Sequence, residues 1–353
     1  MNPRLKNIRT KLAQERLDGL LLSSPANISY LINYQSRDSF LVITKDKEIY
    51  ITDSRYTEEA RLYLKGGIII KKIDGSVFKT IAEVLGDLNL KRTGFEERYL
   101  PFADYRKIRD NLKRDMELIP VYGLVEVLRQ IKDAEEISKI KKGLNITFKA
   151  LHFIQDFIKP GKKEIEIAAE IERFIRYNGA SGAAFEIIVA SGPNSAFPHH
   201  ITSQRKIKEN EPVLIDMGVD YSGYKTDLTR TFFLGKINTL FKKVYRIVSH
   251  AQERALRLIK PGVALSRLDL SARQYITQKG YGGFFGHNLG HGVGLETHEA
   301  PQISGKETAK AMPGMVFTVE PGIYIPGRFG IRIEDMVLVT RKGVELLSGT
   351  FNK

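Results

Sequence analysis

Cysteine is absent from all 353 residues, and that absence excludes disulfides, a thiol nucleophile, thiolate zinc sites and cysteine-ligated iron–sulfur clusters. Any protein-bound metal must rely mainly on His, Asp and Glu. No stretch approaches the ~18 apolar residues that a spanning helix requires. The opening residues interleave charge with Leu5, Ile8 and Leu12 at helical spacing, which is not the pattern of a signal peptide. A cytoplasmic protein with no membrane contact is expected. There is also no phosphate-binding Gly-Lys-Ser/Thr loop, no Gly-x-Ser-x-Gly elbow and no His-Glu-x-x-His helix.

What is present is an excess of base: 55 Lys and Arg against 41 Asp and Glu, a net charge of +14. No dense basic run carries interleaved aromatics, so the charge reads as a solvated lysine-rich surface and nucleic acid is not expected as a partner. With 42% hydrophobic and 27% charged residues the chain has the composition of a globular protein, and its length suits two domains.

Strand patterns near residues 19–23, 40–43, 49–51, 68–72 and 117–120 alternate with helical patterns near 56–64, 77–88 and 102–112. These make an α/β amino-terminal domain, residues 1–127. A break at 121–123 precedes a long helix over 134–157, which opens a second domain, residues 128–353. That domain contains a repeat. Ile158, Lys159, Pro160, Gly161, Ile175 and Gly179 recur as Ile259, Lys260, Pro261, Gly262, Ile276 and Gly280, at a constant offset. Each copy reads as a long helix, a Pro-Gly turn, a second helix and a glycine stop, followed by strand-rich sequence. Two such halves predict an α+β domain with a pseudo-two-fold axis, helices outside and one shared antiparallel sheet inside.

Asp216 falls in a strand pattern over 214–219 and Asp227 in another over 224–233, on opposite arms of one hairpin. An aspartate inside an apolar strand is costly unless paired or metal-bound. Five of the seven histidines fall in two segments, His199 with His200, then His287, His291 and His298 among Gly286, Gly290, Gly292 and Gly294. Glu320 ends the apolar run 317–319, and strand alternation puts Arg332 and Glu334 on one face. Taken singly, each carboxylate could be a backbone acceptor or a solvated strand end. His152 and His250 lie in helical patterns as ordinary surface or core residues, and His200 points away from His199 if the segment is extended. Taken together, Asp216, Asp227, His291, Glu320 and Glu334 form an oxygen-rich ligand set with one imidazole. Four carboxylates in one pocket repel, and two divalent cations cancel their charge. Such donors suit Mn, Co, Fe or Zn, and a pair of ions supports metal-assisted hydrolysis.

The stretches 216–231, 287–301 and 318–335, with 193–199 ahead of them, resemble the metallopeptidases of the prolidase, aminopeptidase P and methionine aminopeptidase group. The first domain resembles the amino-terminal domain of the prolidase and aminopeptidase P branch. The resemblance implies the pita-bread fold, with Asp216 on one metal, Asp227 and Glu334 bridging, and His291 and Glu320 on the other. It further implies that Glu320 shuttles a proton to the leaving nitrogen, that His298 polarises the scissile carbonyl and that His199 positions the scissile amide. His287 and Arg332 are expected to bind substrate or support the site. Cleavage of the bond before proline, by a homodimer loaded with Mn or Co ahead of Zn or Fe, is the implied activity. A methionine aminopeptidase-like enzyme and a non-catalytic pita-bread module binding RNA or protein are the alternatives.

Overall fold

Asn2 accepts the backbone N–H of Arg4 and Pro3 opens the helix Pro3–Gln14, whose buried stripe is Leu5, Ile8 and Leu12. This computed structural model describes residues 2–349, so the outermost ends of the two expected domains, residue 1 and residues 350–353, lie outside the described residues. The chain separates into two compact units, Met1–Arg129 and Gln130–Lys353.

The first unit is built on a six-stranded mixed sheet. Its spatial order is Ile69–Lys72, Glu48–Thr52, Ser39–Thr44, Gly19–Leu22, Arg92–Glu96, Glu117–Val121. Arg92–Glu96 is a strand that the hydrophobic pattern does not show. Its centre is Gly94, where a Cβ would lie 2.8 Å from the Leu17 side chain, so the position is apolar in its surroundings and silent in the sequence. The helix Pro25–Ile32, capped by the Ser24 side chain, is likewise not evident from periodicity. Glu96 ends its strand buried, accepting from the backbone N–H groups of Ser23 at 2.6 Å and Ser24 at 2.8 Å and from Asn27 Nδ2 at 2.5 Å. Burial pushes its carboxyl up to about 7 against these hydrogen bonds. Arg129, the last residue of the short helix Glu126–Arg129, donates to Asn27 Oδ1 at 2.7 Å, which ties that helix to the first unit and puts the break two residues beyond 127.

In the second unit the repeat is visible in detail. Helices Ala134–Gln155 and Glu164–Tyr177 form one pair, and Thr239–Leu258 and Leu265–Gln278 the other. Gly161 and Gly262 take φ of +90° and +85° at the two Pro-Gly turns, a conformation only glycine adopts freely. The halves also match in bonds far along the chain. Gly161 N–H donates to Ile207 O and Ile207 N–H to Lys162 O; Gly262 N–H donates to Ala311 O and Ala311 N–H to Val263 O, each at 2.8 Å. Ile167, Ile171 and Ile175 pack with Val189 and Ile215 in the first half, and Leu268, Ala272 and Ile276 with Phe317 and Val337 in the second.

The single shared sheet is a point of correction. Among the described residues the second unit has four smaller antiparallel sheets. One joins Ile188–Ser191, Pro212–Met217 and Leu228–Phe233, and the largest carries Gly290–Gly292, Val316–Val319 and Asp335–Thr340. The strand expected over 224–233 is interrupted at Thr226 and Asp227, where the chain crosses so close to Gly218 that a Cβ there would lie 1.8 Å from Thr226 O. The strand Val316–Val319 stops just before Glu320 and Pro321, and residues 333 and 334 leave the ladder between two strands. The two halves meet through a few bonds, among them Glu334 N–H to Thr229 O at 3.2 Å and Thr231 Oγ1 to Arg332 O at 3.0 Å. The interruptions fall at Asp227, Glu320 and Glu334, so the breaks in the ladders release carboxylates toward one place.

Candidate metal centre

Each of the five expected ligands is placed by its own segment. Asp216 lies in Pro212–Met217, opposite Thr229 on one side and Ile188 on the other. His291 is the middle of Gly290–Gly292, where Cβ atoms on the flanking glycines would lie 2.0 Å from Thr318 O and 2.3 Å from Ala300 O. Two glycines are thus the condition for a histidine pressed between neighbouring strands.

The side chains converge. Ligand atoms of Asp216, Asp227 and Glu334 lie within 4.8 Å of one another, as do those of His291, Glu320 and Glu334. His291 Nε2 is 3.3 Å from Glu320 Oε1 and 3.6 Å from Asp227 Oδ2. His291 Nδ1 donates to Gly292 O at 3.2 Å, which leaves the Nε2 lone pair for the cluster. Glu334 Oε2 accepts from Thr229 Oγ1 at 2.6 Å and Asp216 Oδ2 from Arg332 Nη2 at 2.5 Å. The second oxygen of each, Glu334 Oε1 and Asp216 Oδ1, is buried with no hydrogen-bond partner. A buried bare carboxylate oxygen is expensive, and two of them facing a hard-donor cluster are what divalent cations would satisfy.

The electrostatics agree. Burial, then the charges of Glu334, Asp216 and Glu320, raises Asp227 well above the usual carboxylate range. Burial, then Glu320 and Asp216, raises Glu334 in the same way. Burial would also raise Glu320, but its hydrogen bond to His291 and the charges of His291, His287 and Arg332 bring it down to about 2. His291 is raised: burial lowers it, and the bond to Glu320, the Glu320 charge, the bond to Gly292 O and the Asp216 charge together outweigh burial. In the metal-free chain Asp227 and Glu334 bind protons more tightly folded than unfolded. Their stabilisation is therefore present below the ordinary carboxylate range and is lost as pH rises through their raised values, and His291 adds to that loss above its own ordinary value. The Tm of metal-free protein should fall as pH rises above the ordinary carboxylate range, and divalent cations should flatten the profile. A melting curve series indifferent to pH and to metal would contradict this electrostatic account.

The same cavity, about 430 Å³, is lined by all nine residues singled out from the sequence, with Phe185, Ile188 and Ile201 as an apolar wall. His298 and His199 are exposed at it. The His298 ring lies 4.2 Å from that of His291, centroid to centroid, and one of its nitrogens joins Asp227 and His291 in a group within ligand distance. Burial and the nearby His291 lower the His298 pKa. His287 donates Nδ1–H to Asn288 O at 2.8 Å, so its Nε2 accepts from Tyr324 Oη at 3.0 Å, and Tyr324 Oη in turn accepts from Arg332 Nη1 at 2.8 Å. Both His287 nitrogens are thereby engaged, while the residue lines the cavity. Burial pushes Tyr324 up to about 12, so it stays a phenol in this relay.

Sequence reasoning missed Tyr324, an unremarkable strand tyrosine. It also missed Glu164, a fully buried carboxylate that accepts from Ser191 N–H and Oγ, Asn194 Nδ2, Ser203 and His200 Nε2 and so shapes the segment carrying His199. His200, expected to point away from His199 if their segment is extended, follows a turn and is held on Glu164 at 2.9 Å. Replacing Tyr324 with Phe should lower kcat/KM about tenfold, the lower end of the cost of removing an outer partner of a metal site, with metal content unchanged. Steady-state kinetics equal to wild type would show the relay to be idle.

Residues 138–341 match the model of metallopeptidase family M24, and residues 4–131 match the creatinase/prolidase N-terminal domain. The fold is similar to that of an Xaa-Pro dipeptidase from Bacillus anthracis, with TM-score 0.95, 38% identity and 99% and 98% of the two chains covered. It is also similar to an X-Pro aminopeptidase from Thermotoga maritima, with TM-score 0.87, 37% identity and 95% and 97% covered. In sequence it is 36% identical to an Xaa-Pro dipeptidase of Pyrococcus horikoshii over 99% of this chain and 98% of that one. With a hard-donor site convergent in one cavity and both modules matched over nearly their whole length, the chain belongs to metallopeptidase family M24, in the prolidase and aminopeptidase P branch that carries the creatinase/prolidase N-terminal domain.

Proposed function

We propose that this metallopeptidase cleaves the peptide bond before proline, with two divalent cations held by Asp216, Asp227, His291, Glu320 and Glu334. The observation that carries the proposal is the pair of bare buried oxygens, Asp216 Oδ1 and Glu334 Oε1, within a set of four carboxylates. Asp227 and Glu334 would help to hold both ions, since Glu334 belongs to the cluster with Asp216 and to the cluster with Glu320, and Asp227 lies near Asp216 and His291 alike. When bound, the ions supply Lewis acidity and lower the pKa of water at the site. Mn or Co is the metal proposed, with Zn or Fe next, because the set is mostly oxygen with one imidazole.

The chain's own residues do the rest. A bond to proline is a tertiary amide, so the leaving nitrogen has no hydrogen and must be protonated as it departs. Glu320, an ionised carboxylate at the cavity wall, accepts the proton of the attacking water and returns it to that nitrogen. His298, neutral because burial and His291 lower its pKa, donates N–H to the developing oxyanion. His199 positions the leaving side. Arg332 and His287, joined through Tyr324, hold the wall against which the substrate lies. A homodimer in the cytoplasm belongs to the same proposal; the dimer is supported by the family resemblance and is checked by light scattering.

Dipeptidase and aminopeptidase are separated by substrate length. The two solved relatives named for these activities are equally similar in sequence, 38% and 37%. Metal-loaded protein offered Xaa-Pro dipeptides and Xaa-Pro tripeptides decides between them. Hydrolysis of neither would overturn the proposal.

A further inference from the structure

Helix Thr239–Leu258 turns an apolar stripe inward, with Phe241, Val244, Val248, Ala251 and Ala255 buried, and one amide lies in that stripe. Gln252 is fully buried. An amide in such a place is destabilising unless its donors are paired, and both hydrogens of Nε2 are placed. One goes to Val319 O at 2.9 Å and the other to Ile333 O at 3.1 Å. These carbonyls belong to the residues just before Glu320 and Glu334. A single side chain from an outer helix therefore pins together the two points from which two of the cavity's carboxylates leave the backbone.

The surroundings make this pin specific to Glu320 and Glu334. Glu334 is held at its own N–H by Thr229 O and at its carbonyl by Arg230 Nη1, while Glu320 N–H donates to Leu289 O at 2.8 Å. The two segments also meet where Val319 pairs with Asp335 and where Ile333 N–H donates to Pro321 O at 3.5 Å, and Gln252 adds the one side chain that bonds to both carbonyls just before the carboxylates. Only a long neutral amide offers two donors from one nitrogen at this reach. Glutamate would offer none when ionised, leucine none at all, and asparagine is one methylene shorter.

We infer that Gln252 is a positioning residue whose two amide hydrogen bonds, one to the Val319 carbonyl and one to the Ile333 carbonyl, set the separation of the Glu320 and Glu334 carboxylates for a bound divalent cation. The inference rests on the ligand reading above, and the experiment separates the two. Metal-free wild type, Gln252→Leu and Val248→Ala, which trims the same buried stripe, are titrated with Co²⁺ alone, by calorimetry and visible absorption. Wild type is expected to bind two ions; failure to do so overturns the ligand reading itself. Gln252→Leu is expected to weaken at least one binding step by about tenfold or more, as loss of an outer partner does at other metal sites, and to change the Co²⁺ absorption bands. Val248→Ala should leave both unchanged. Binding and spectrum of Gln252→Leu equal to wild type would overturn the inference, and so would equal weakening in Val248→Ala, which would mean general loosening. If Gln252→Leu does not fold, the isosteric Gln252→Glu takes its place; failure of both to fold would make the amide a general structural element and overturn the positioning role.

Discussion

Asp227→Asn should purify folded, with clearly reduced metal content and turnover lowered by more than the roughly 10² to 10³ that loss of one oxyanion donor costs in other enzymes. The expectation follows from charge and position. Burial, and then the charges of Glu334, Asp216 and Glu320, raise the Asp227 pKa, so in the metal-free chain it is, with Glu334, a carboxyl that favours its protonated form. With cations present it is needed ionised. The amide has nearly the same shape, so packing survives, but it offers one neutral oxygen where a bridging anion is required. The metal-free variant should melt at least as high as metal-free wild type at neutral pH, since a source of like-charge repulsion is gone. Elemental analysis and melting curves check both statements. Unchanged metal stoichiometry with unchanged activity would remove Asp227 from the ligand set.

His298→Ala and His291→Ala should fail in different ways, although the two rings lie 4.2 Å apart. His291 is buried, with Nδ1 committed to Gly292 O and Nε2 facing Glu320 and Asp227. Its loss should lower metal content. His298 is exposed at the cavity, where an N–H can meet a substrate oxygen. Its removal should leave metal content near normal while kcat falls by about 10² to 10³, the cost of one transition-state hydrogen bond. The proximity of a His298 nitrogen to Asp227 and His291 makes this a strict test. Equal metal loss in both variants would make His298 a ligand.

The five ligand candidates were legible in the sequence because chemistry marks them: a carboxylate at an apolar strand is costly and asks for a reason. The repeat was legible because Pro160–Gly161 and Pro261–Gly262 sit at equal distance from Gly179 and Gly280. Residues whose importance lies wholly in their partners were not legible. Tyr324 acts through His287 and Arg332, Glu164 through residues from 191 to 203, and Gln252 through carbonyls 67 and 81 positions away. Tyr324 and Glu164 break no local pattern, and Gln252 is a single amide within an apolar helical stripe. The strand Arg92–Glu96 was hidden because its close approach to Leu17 demands glycine at 94, and glycine carries no hydrophobic signal. The breaks at Asp227 and Glu334 were hidden because alternation reads straight through a place where the chain leaves its ladder, and those breaks are what bring the carboxylates together.

Specificity for proline is the claim on which the account turns, and a head-to-head rate comparison of Met-Pro and Met-Ala-Ser on the metal-loaded protein tests it most directly. In the proposed mechanism Glu320 protonates a ring nitrogen that brings no hydrogen of its own, and the cavity wall of Phe185, Ile188 and Ile201 offers an apolar ring its surroundings. The account predicts rapid release of methionine from Met-Pro and little from Met-Ala-Ser. Faster cleavage of Met-Ala-Ser would contradict it and make the enzyme methionine aminopeptidase-like in activity, whatever its amino-terminal domain resembles.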